Sequence, residues 1–186
     1  LMSDIHIIEE MDENRPTAVS FYRSEGTEKD CVEVTLYNLS ASIPLSKRVP
    51  IFENLGFSVI DERSYVITPD KGEGQPTVCQ HMMKLKVRNG EAIDLSKLEE
   101  KLVKGFMSVW RGDAANDGYN QMISLLGIHW REAALLRGLG SYLRQINVPY
   151  DQDYLVQTLV HYKSVTKDMV ELFNLRFDPS KQKGAS

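Results

Sequence analysis

The chain has 186 residues, 42% of them hydrophobic and 26% charged, with a net charge of −4. That length suffices for one sizeable core or two small ones, and the composition is that of a folded globular chain rather than a disordered or fibrous one. Residues 1–94 carry 10 Lys and Arg against 16 Asp and Glu, residues 95–186 carry 12 against 10, and neither half has the basic stripe of a nucleic-acid binder.

Two cysteines, Cys31 and Cys79, are too few for a disulfide framework. No apolar run approaches the ~20 residues of a membrane span and no signal peptide is visible, so a cytoplasmic chain with neither nucleic acid nor membrane as partner is expected. The sequence opens Leu-Met and closes KQKGAS, as a segment cut from a longer polypeptide does.

In chain order, TAVSFYRS (Thr17–Ser24) reads as a strand followed by a polar turn. In CVEVTLYN (Cys31–Asn38), Val32, Val34 and Leu36 alternate with Glu33, Thr35 and Tyr37, the pattern of a sheet with one buried side. A short helix follows Pro44, with Leu45, Val49, Phe52 and Leu55 as its apolar stripe and Pro50 inside it. Its first turn is expected near Ser46–Val49, or a kink there. Gly56 closes it in a conformation that a Cβ disfavours. The strand from Phe57 to Ile67 places Asp61 and Arg63 in the parity of Phe57, Val59, Tyr65 and Ile67. That predicts an edge or protruding strand with an Asp–Arg pair, or a bulge that re-aims its centre. TPDKGEGQP reads as a loop. Val78–Arg88 then alternates cleanly, with Cys79, His81, Met83, Leu85 and Val87 on one face. Cys31 falls in the polar set and Cys79 in the apolar one, which argues against a bridge between them.

From Asp94 the period changes from 2 to 3.6. Asp94 is placed as the cap of a helix carrying Leu95, Leu98, Leu102, Phe106 and Val109. RGDAANDG breaks that helix, and YNQMISLL forms a short one ending at Gly127. HWREAALLRGLGSYLRQI is a longer helix with Leu135, Leu139, Tyr142 or Leu143, and Ile146 inward; Gly138 and Gly140 inside it suggest close approach of another backbone. Asn147 and Pro149 end it. Asp151 caps QDYLVQTLVHY, Ser164 caps VTKDMVELFNLRF, and Pro179 closes the series.

The fold class is therefore α+β: a ferredoxin-like βαββα unit with a leading strand over 1–93, an all-helical module over 94–180, and a flexible tail over 181–186. The final strand of the ferredoxin-like pattern is missing from the order, and residues 17–24 are available for an edge position.

No converging catalytic constellation is legible. His6, His81, His129 and His161 are scattered without metal-ligand spacing, and His81 reads as a core histidine. There is no dinucleotide or phosphate-loop glycine motif and no nucleophile elbow, and RGLGSYL lies within a helical pattern rather than after a strand. Glu9–Glu10 and Glu99–Glu100 read as solvated. Trp110–Arg111 and Trp130–Arg131 are the unusual pairs; an aromatic beside an arginine suits an interdomain contact or a buried anchor at a helix end. Arg137 and Arg144, seven apart on one helix face, read as surface charge, with an acidic partner as the alternative.

PLSKRVPIFENLGFSVIDERSYVI, VWRGDAANDGYNQMI, WREAALLRGLGSYLRQ and LFNLRFDP resemble, in order and spacing, consecutive motifs of the large bacterial NAD-specific glutamate dehydrogenases. The resemblance runs from about Asp4 to Pro179 and covers a fraction of that family's long subunit. It implies an ACT-like domain plus a helical segment lying ahead of the catalytic part, and oxidative deamination of glutamate to 2-oxoglutarate by the whole enzyme with NAD. No catalytic, cofactor or metal residue carries over, so no cofactor is expected in this segment. The implied partners are the catalytic part of the same polypeptide, further copies in a homo-oligomer, and an amino-acid effector at the turn after the first ACT strand, here Asn38, Ser40 and Ser42. The rival reading is a free-standing ACT-like amino-acid sensor.

Overall fold

A computed structural model describes residues 2–68 and 76–177. Most of the TPDKGEGQP loop, Pro179 and the predicted tail lie outside the described residues. The element order is α1 (Met2–Glu9), β1 (Thr17–Tyr22), β2 (Cys31–Leu39), α2 (Leu45–Asn54), β3 (Phe57–Ile67), β4 (Val78–Val87), α3 (Leu95–Trp110), a 3-10 turn (Gly118–Asn120), α4 (Gln121–Leu126), α5 (Trp130–Gln145), α6 (Gln152–His161) and α7 (Lys163–Phe177).

The strands form one antiparallel sheet in the order β1-β2-β4-β3. A strand after α3 would have to return to the free edge of β2 to finish the ferredoxin-like pattern. β1 already lies there, antiparallel to β2, with Phe21 opposite Val34 and Val19 opposite Leu36. The leading strand thus supplies what the chain order lacks, and the sheet is a permuted ACT-like one.

Alternation in β2 and β4 sends Val32, Val34, Leu36, Met83, Leu85 and Val87 into the core beneath α2 and α3. The other face is not bare as the alternation predicts: α1, which the sequence reading leaves unassigned, lies over part of it. Tyr37 is fully buried there, and its hydroxyl donates to Asp4 Oδ1 at 2.5 Å. That bond holds the Asp4 carboxyl below its ordinary value, while burial and the Asp4 charge push the Tyr37 phenol up.

Two predicted faces, in α2 and α5, are corrected, while in β3 the expected edge position with its Asp–Arg pair and the alternative bulge are both found. In α2 the helix already begins at Leu45, with Pro44 at its N-cap; Leu45 is exposed, and Arg48, Ile51, Phe52 and Leu55 turn inward. In β3 a bulge between Val59 and Asp61 shifts the register by one. Glu62 and Ser64 therefore share the inner face with Phe57 and Val59, while Asp61 and Arg63 pair at 3.9 Å in solvent on an edge strand. In α5, Ala133, Leu136 and Gly140 are the buried positions, and Leu139, Tyr142 and Ile146 face solvent.

Two caps are also corrected. Asp94 sits at the N-cap of α3 but accepts from the Ser96 hydroxyl and pairs with Lys97 instead of binding a backbone N–H. Ser164 lies inside α7 rather than ahead of it. Asp151 does cap α6, accepting from the Tyr154 N–H at 2.7 Å.

Core side chains run without a break from β1 and β2 through α2 and α3 to Met122, Ile123, Leu136, Val156 and Val170. Aromatic rings mark the path: Phe21 meets Phe52 edge-on at 6.1 Å, Phe52 stacks on Phe106 at 4.9 Å, and Phe106 stacks on Trp110 at 6.1 Å. Helix α3, which opens the predicted helical module, packs on β1 and α2. The link ahead of it is held by Arg23, whose Nη2 donates to the carbonyls of Lys29 and Ile93 at 2.9 and 3.0 Å.

The two α5 glycines differ in kind, and neither meets a foreign backbone. A Cβ on Gly140 would stand 2.0 Å from Tyr119 Oη, in a fully buried side chain, whereas one on Gly138 meets nothing within 4 Å. Gly140→Ala is therefore expected to cost ~1–3 kcal/mol by overpacking. Gly138→Ala should add up to ~1 kcal/mol by helix propensity. Urea midpoints of the two variants shifting in the same direction would contradict this assignment.

Candidate functional site

The turn after β2 is built from its own polar groups. Asn38 Oδ1 accepts from Thr17 Oγ1 at 2.6 Å, and Asn38 Nδ2 donates to the Ala41 carbonyl at 2.8 Å. Ser40 has φ +62°, and its N–H donates to the Thr77 carbonyl at 2.7 Å, tying the turn to the start of β4. Ser42 Oγ lies 3.4 Å from His81 Nε2.

His81, itself buried, organises a polar network under this turn that runs out to the exposed Ser64. Its Nε2 accepts the Ile43 N–H at 3.2 Å, which places the imidazole proton on Nδ1, 2.7 Å from Ser64 Oγ. Ser64 Oγ in turn donates to Glu62 Oε1 at 3.1 Å, and Glu62 pairs with Arg48. The β3 bulge is what delivers Glu62 and Ser64 to this place, and the inward turn of α2 delivers Arg48, which is 4% exposed. Burial lowers the His81 pKa first and the Arg48 charge lowers it further; Glu62 opposes both. The ring is neutral at pH 7. Arg48 Nε and Nη1 are buried donors with no hydrogen-bond partner. These two N–H groups do not belong to one parallel fork of the guanidinium, so they favour a negative group as separate donors and not as a bidentate pair.

Of the sequence-derived contact residues, Trp110 separates from the rest. Its ring continues the aromatic path, and Nε1 donates to Thr17 Oγ1 at 3.2 Å. Thr17 passes the connection to Asn38, so Trp110 buttresses the turn. Arg111, Trp130 and Arg131 come together around a cleft of about 630 Å³ between the end of α3 and the start of α5, with Lys104, Asp113 and Glu132 also on its walls. The Arg131 guanidinium lies 4.6 Å over the Trp130 ring. Glu132 accepts the His129 N–H at 2.8 Å and the Asn174 amide at 2.6 Å, fixing the start of α5 against α7.

Arg137 takes the alternative reading, an acidic partner, and is not plain surface charge; Arg144 is exposed as expected. Arg137 Nε and Nη2 bind the two oxygens of Asp117 at 2.6 and 2.9 Å, and Nη2 also reaches Asn120 Oδ1 at 2.8 Å. Asp117 accepts the Tyr119 N–H as well, so one half-buried carboxylate holds the link after α3, the 3-10 turn and α5 together. Seven-residue spacing along one helix carries no information on a partner 20 residues back, which is why this clamp escapes the sequence.

Among the described residues no group of three or more His, Cys, Asp or Glu can hold a metal. Cys31 and Cys79 are free and buried, and burial raises the Cys31 thiol above its usual value, away from a reactive thiolate.

The His81 network has a pH signature. Its folded pKa lies below the usual imidazole value of 6.5. Stability is therefore fully present above that value and is lost as pH falls below it, because the unfolded chain takes up a proton the folded one refuses. Urea unfolding from about pH 7 to about pH 5 should show stability falling by up to ~1.4 kcal/mol per pH unit. His81→Gln should flatten that slope; an unchanged slope would show that His81 does not cause it.

Residues 16–98 match the family described as the ACT3 domain of glutamate dehydrogenase, and residues 114–179 match helical motif 3 of glutamate dehydrogenase. The NAD-specific glutamate dehydrogenase of Halomonas elongata is 35% identical over 181 residues, 97% of this chain and 11% of the relative. That of Pseudomonas aeruginosa is 30% identical over 174 residues, 94% of this chain and 11% of the relative. The Mycobacterium tuberculosis protein of the same name is 24% identical over 192 residues, covering 100% of this chain and 11% of its own length. With an ACT-like sheet and a helical region each matched in chain order, this chain belongs to the NAD-specific glutamate dehydrogenase family, as a segment spanning 11% of the length of these curated relatives.

Proposed function

We propose that this chain is a non-catalytic regulatory and structural segment of an NAD-dependent glutamate dehydrogenase. The whole polypeptide would oxidatively deaminate glutamate to 2-oxoglutarate and reduce NAD at a site in another part of the molecule. One observation carries this reading. The polar residues best suited to chemistry are spent on holding the segment's own elements together: Arg137 on Asp117, His81 on Ile43 and Ser64, Trp110 on Thr17. The match to 11% of each relative gives such a segment a larger molecule to serve. A cytoplasmic homo-oligomer in which the Arg111–Trp130–Arg131 cleft meets the catalytic part is the assembly that follows.

A second role is compatible with the first. The two unpartnered buried donors of Arg48, at the far end of the Glu62–Ser64–His81 network that meets Ser42, support an amino-acid effector held at the turn of Asn38, Ser40 and Ser42.

The test of the structural role is Trp130→Ala in the full-length enzyme, with Trp110→Phe as the milder partner variant. Trp130→Ala should weaken assembly or regulation by roughly 30-fold, the ~2 kcal/mol of an anchoring aromatic, with the catalytic rate under saturating glutamate and NAD unchanged. Unaltered assembly and regulation in both variants would overturn the proposal. For the effector role, calorimetric titration of the full-length enzyme with amino acids should give saturable binding that Ser42→Ala weakens by about tenfold, one hydrogen bond to a charged group. Heat indifferent to that substitution would remove the turn as a site.

A further inference from the structure

Helix α7 has two apolar stripes where its own chain supplies cover for one. Thr166 and Val170 are buried against the helices. On the adjoining side Val165, Met169, Leu172 and Phe173 fall at i, i+4, i+7 and i+8, the spacing of a second buried face, yet Val165 is 53% and Leu172 66% exposed. Helix α5 repeats the pattern with Leu139, Tyr142 and Ile146 at i, i+3 and i+7, all exposed. Single exposed apolar side chains need no explanation, but periodic stripes on two helices mark a surface shaped for a partner.

We infer that the α7 stripe is the seat of an apolar-faced segment from another part of the same long polypeptide; the inference rests on the reading of this chain as a piece of a longer dehydrogenase. Size decides between a tethered segment and a free second copy. From Val165 to Phe173 the stripe runs about 12 Å along the helix, far short of the ~800 Å² per partner of a stable interface between separate molecules. A covalently linked segment meets the stripe at an effective concentration in the millimolar range and needs no such area. The relatives supply it: 89% of their length lies outside the part this chain matches, the complement of the 11% covered. Between Val165 and Phe173 the stripe itself holds no charged residue; Asp168 borders it and Arg176 continues its line one turn further.

The experiment uses the full-length enzyme and the thioether of Met169 as reporter. Dilute peroxide oxidises an exposed methionine to the sulfoxide, with peroxide reduced to water, and mass spectrometry of the tryptic peptide reads the rate. In the wild-type enzyme Met169 should oxidise at least about tenfold more slowly than in Leu172→Asp, in which a charge breaks the docking. Val165→Lys should give the same release, so a folding defect in one variant does not decide the matter; amide protection of β2 and β4 reports the fold of each. Equal Met169 rates in wild type and both variants would overturn the inference. Protection that disappears on dilution of the wild-type enzyme would also overturn it, by assigning the stripe to a second copy. Glutamate-dependent NAD reduction is measured on the same preparation. Its absence would strike the proposed function, whereas the oxidation rates alone decide the docking.

Discussion

Everything beyond the sheet hangs from one backbone position, Gly56. Helix α2 stops at Leu55, and a φ of +94° at Gly56 turns the chain straight into β3. A helix end leaves carbonyls without donors, and here the Ser124 hydroxyl of α4 donates to the Leu55 carbonyl at 2.6 Å. That contact is open only because Gly56 has no Cβ, which would stand 2.8 Å from Ser124 Oγ and 3.3 Å from Gln121 Cβ. On its other side the Gly56 carbonyl accepts the Arg88 N–H at 3.0 Å, registering the joint against the end of β4. One residue therefore sets the turn, the sheet register and the docking of the helices, and the shared core of sheet and helices follows from that seat.

Around this joint arginines act as internal clamps. Arg23 bridges the hairpin to the link before α3, Arg48 sits under the turn after β2, and Arg137 binds Asp117 through both oxygens. A planar guanidinium with fixed forks suits this work better than a flexible ammonium. Arg48 differs from the other two in keeping two donors unused inside the protein. A buried unmade hydrogen bond costs on the order of 1–3 kcal/mol, and the pairing with Glu62 offsets only the charge. Arg48 thus carries a cost of unmade bonds that Arg23 and Arg137 do not.

What the sequence showed and what it hid divide along physical lines. β4 is legible because its alternation is unbroken and one face is wholly buried, and the break at RGDAANDG is legible because Gly112, with φ +81°, cannot continue a helix cheaply. β3 misleads because a bulge adds one residue at Ile60, and parity counted from Phe57 then assigns Glu62 and Ser64 to the wrong face. Asp61 and Arg63 in an apolar parity raise a bulge as one reading, but nothing in the residue types fixes its position. α2 misleads because hydrophobic periodicity has no place for an inward arginine, and Arg48 takes a position the apolar stripe leaves vacant. In α5 the periodicity detects a genuine apolar stripe, Leu139, Tyr142 and Ile146, but attaches it to the wrong neighbour; the face buried within this chain is the small-residue side at Ala133 and Gly140. The candidate site suffers most, since His81, Glu62, Ser64 and Arg48 come from three elements, and only the fold brings them together.

The sheet also constrains where other molecules can attach. A row of unpaired backbone groups invites further strands, and this sheet has two such rows, on β1 and on β3. β1 is short, six residues, and its start is engaged by Trp110 through Thr17. β3 is longer, eleven residues, but its centre carries Asp61, Glu62 and Arg63 and the bulge bends the strand there. Charges and a bulge at the middle of an edge are the devices by which sheets resist unwanted pairing. With both edges blunted, strand addition is disfavoured, and the large apolar groups left in solvent lie mainly on α5, α6 and α7. The edges of the permuted ACT-like sheet are thus poor templates for a further strand, and most of the exposed apolar side chains lie on the helices.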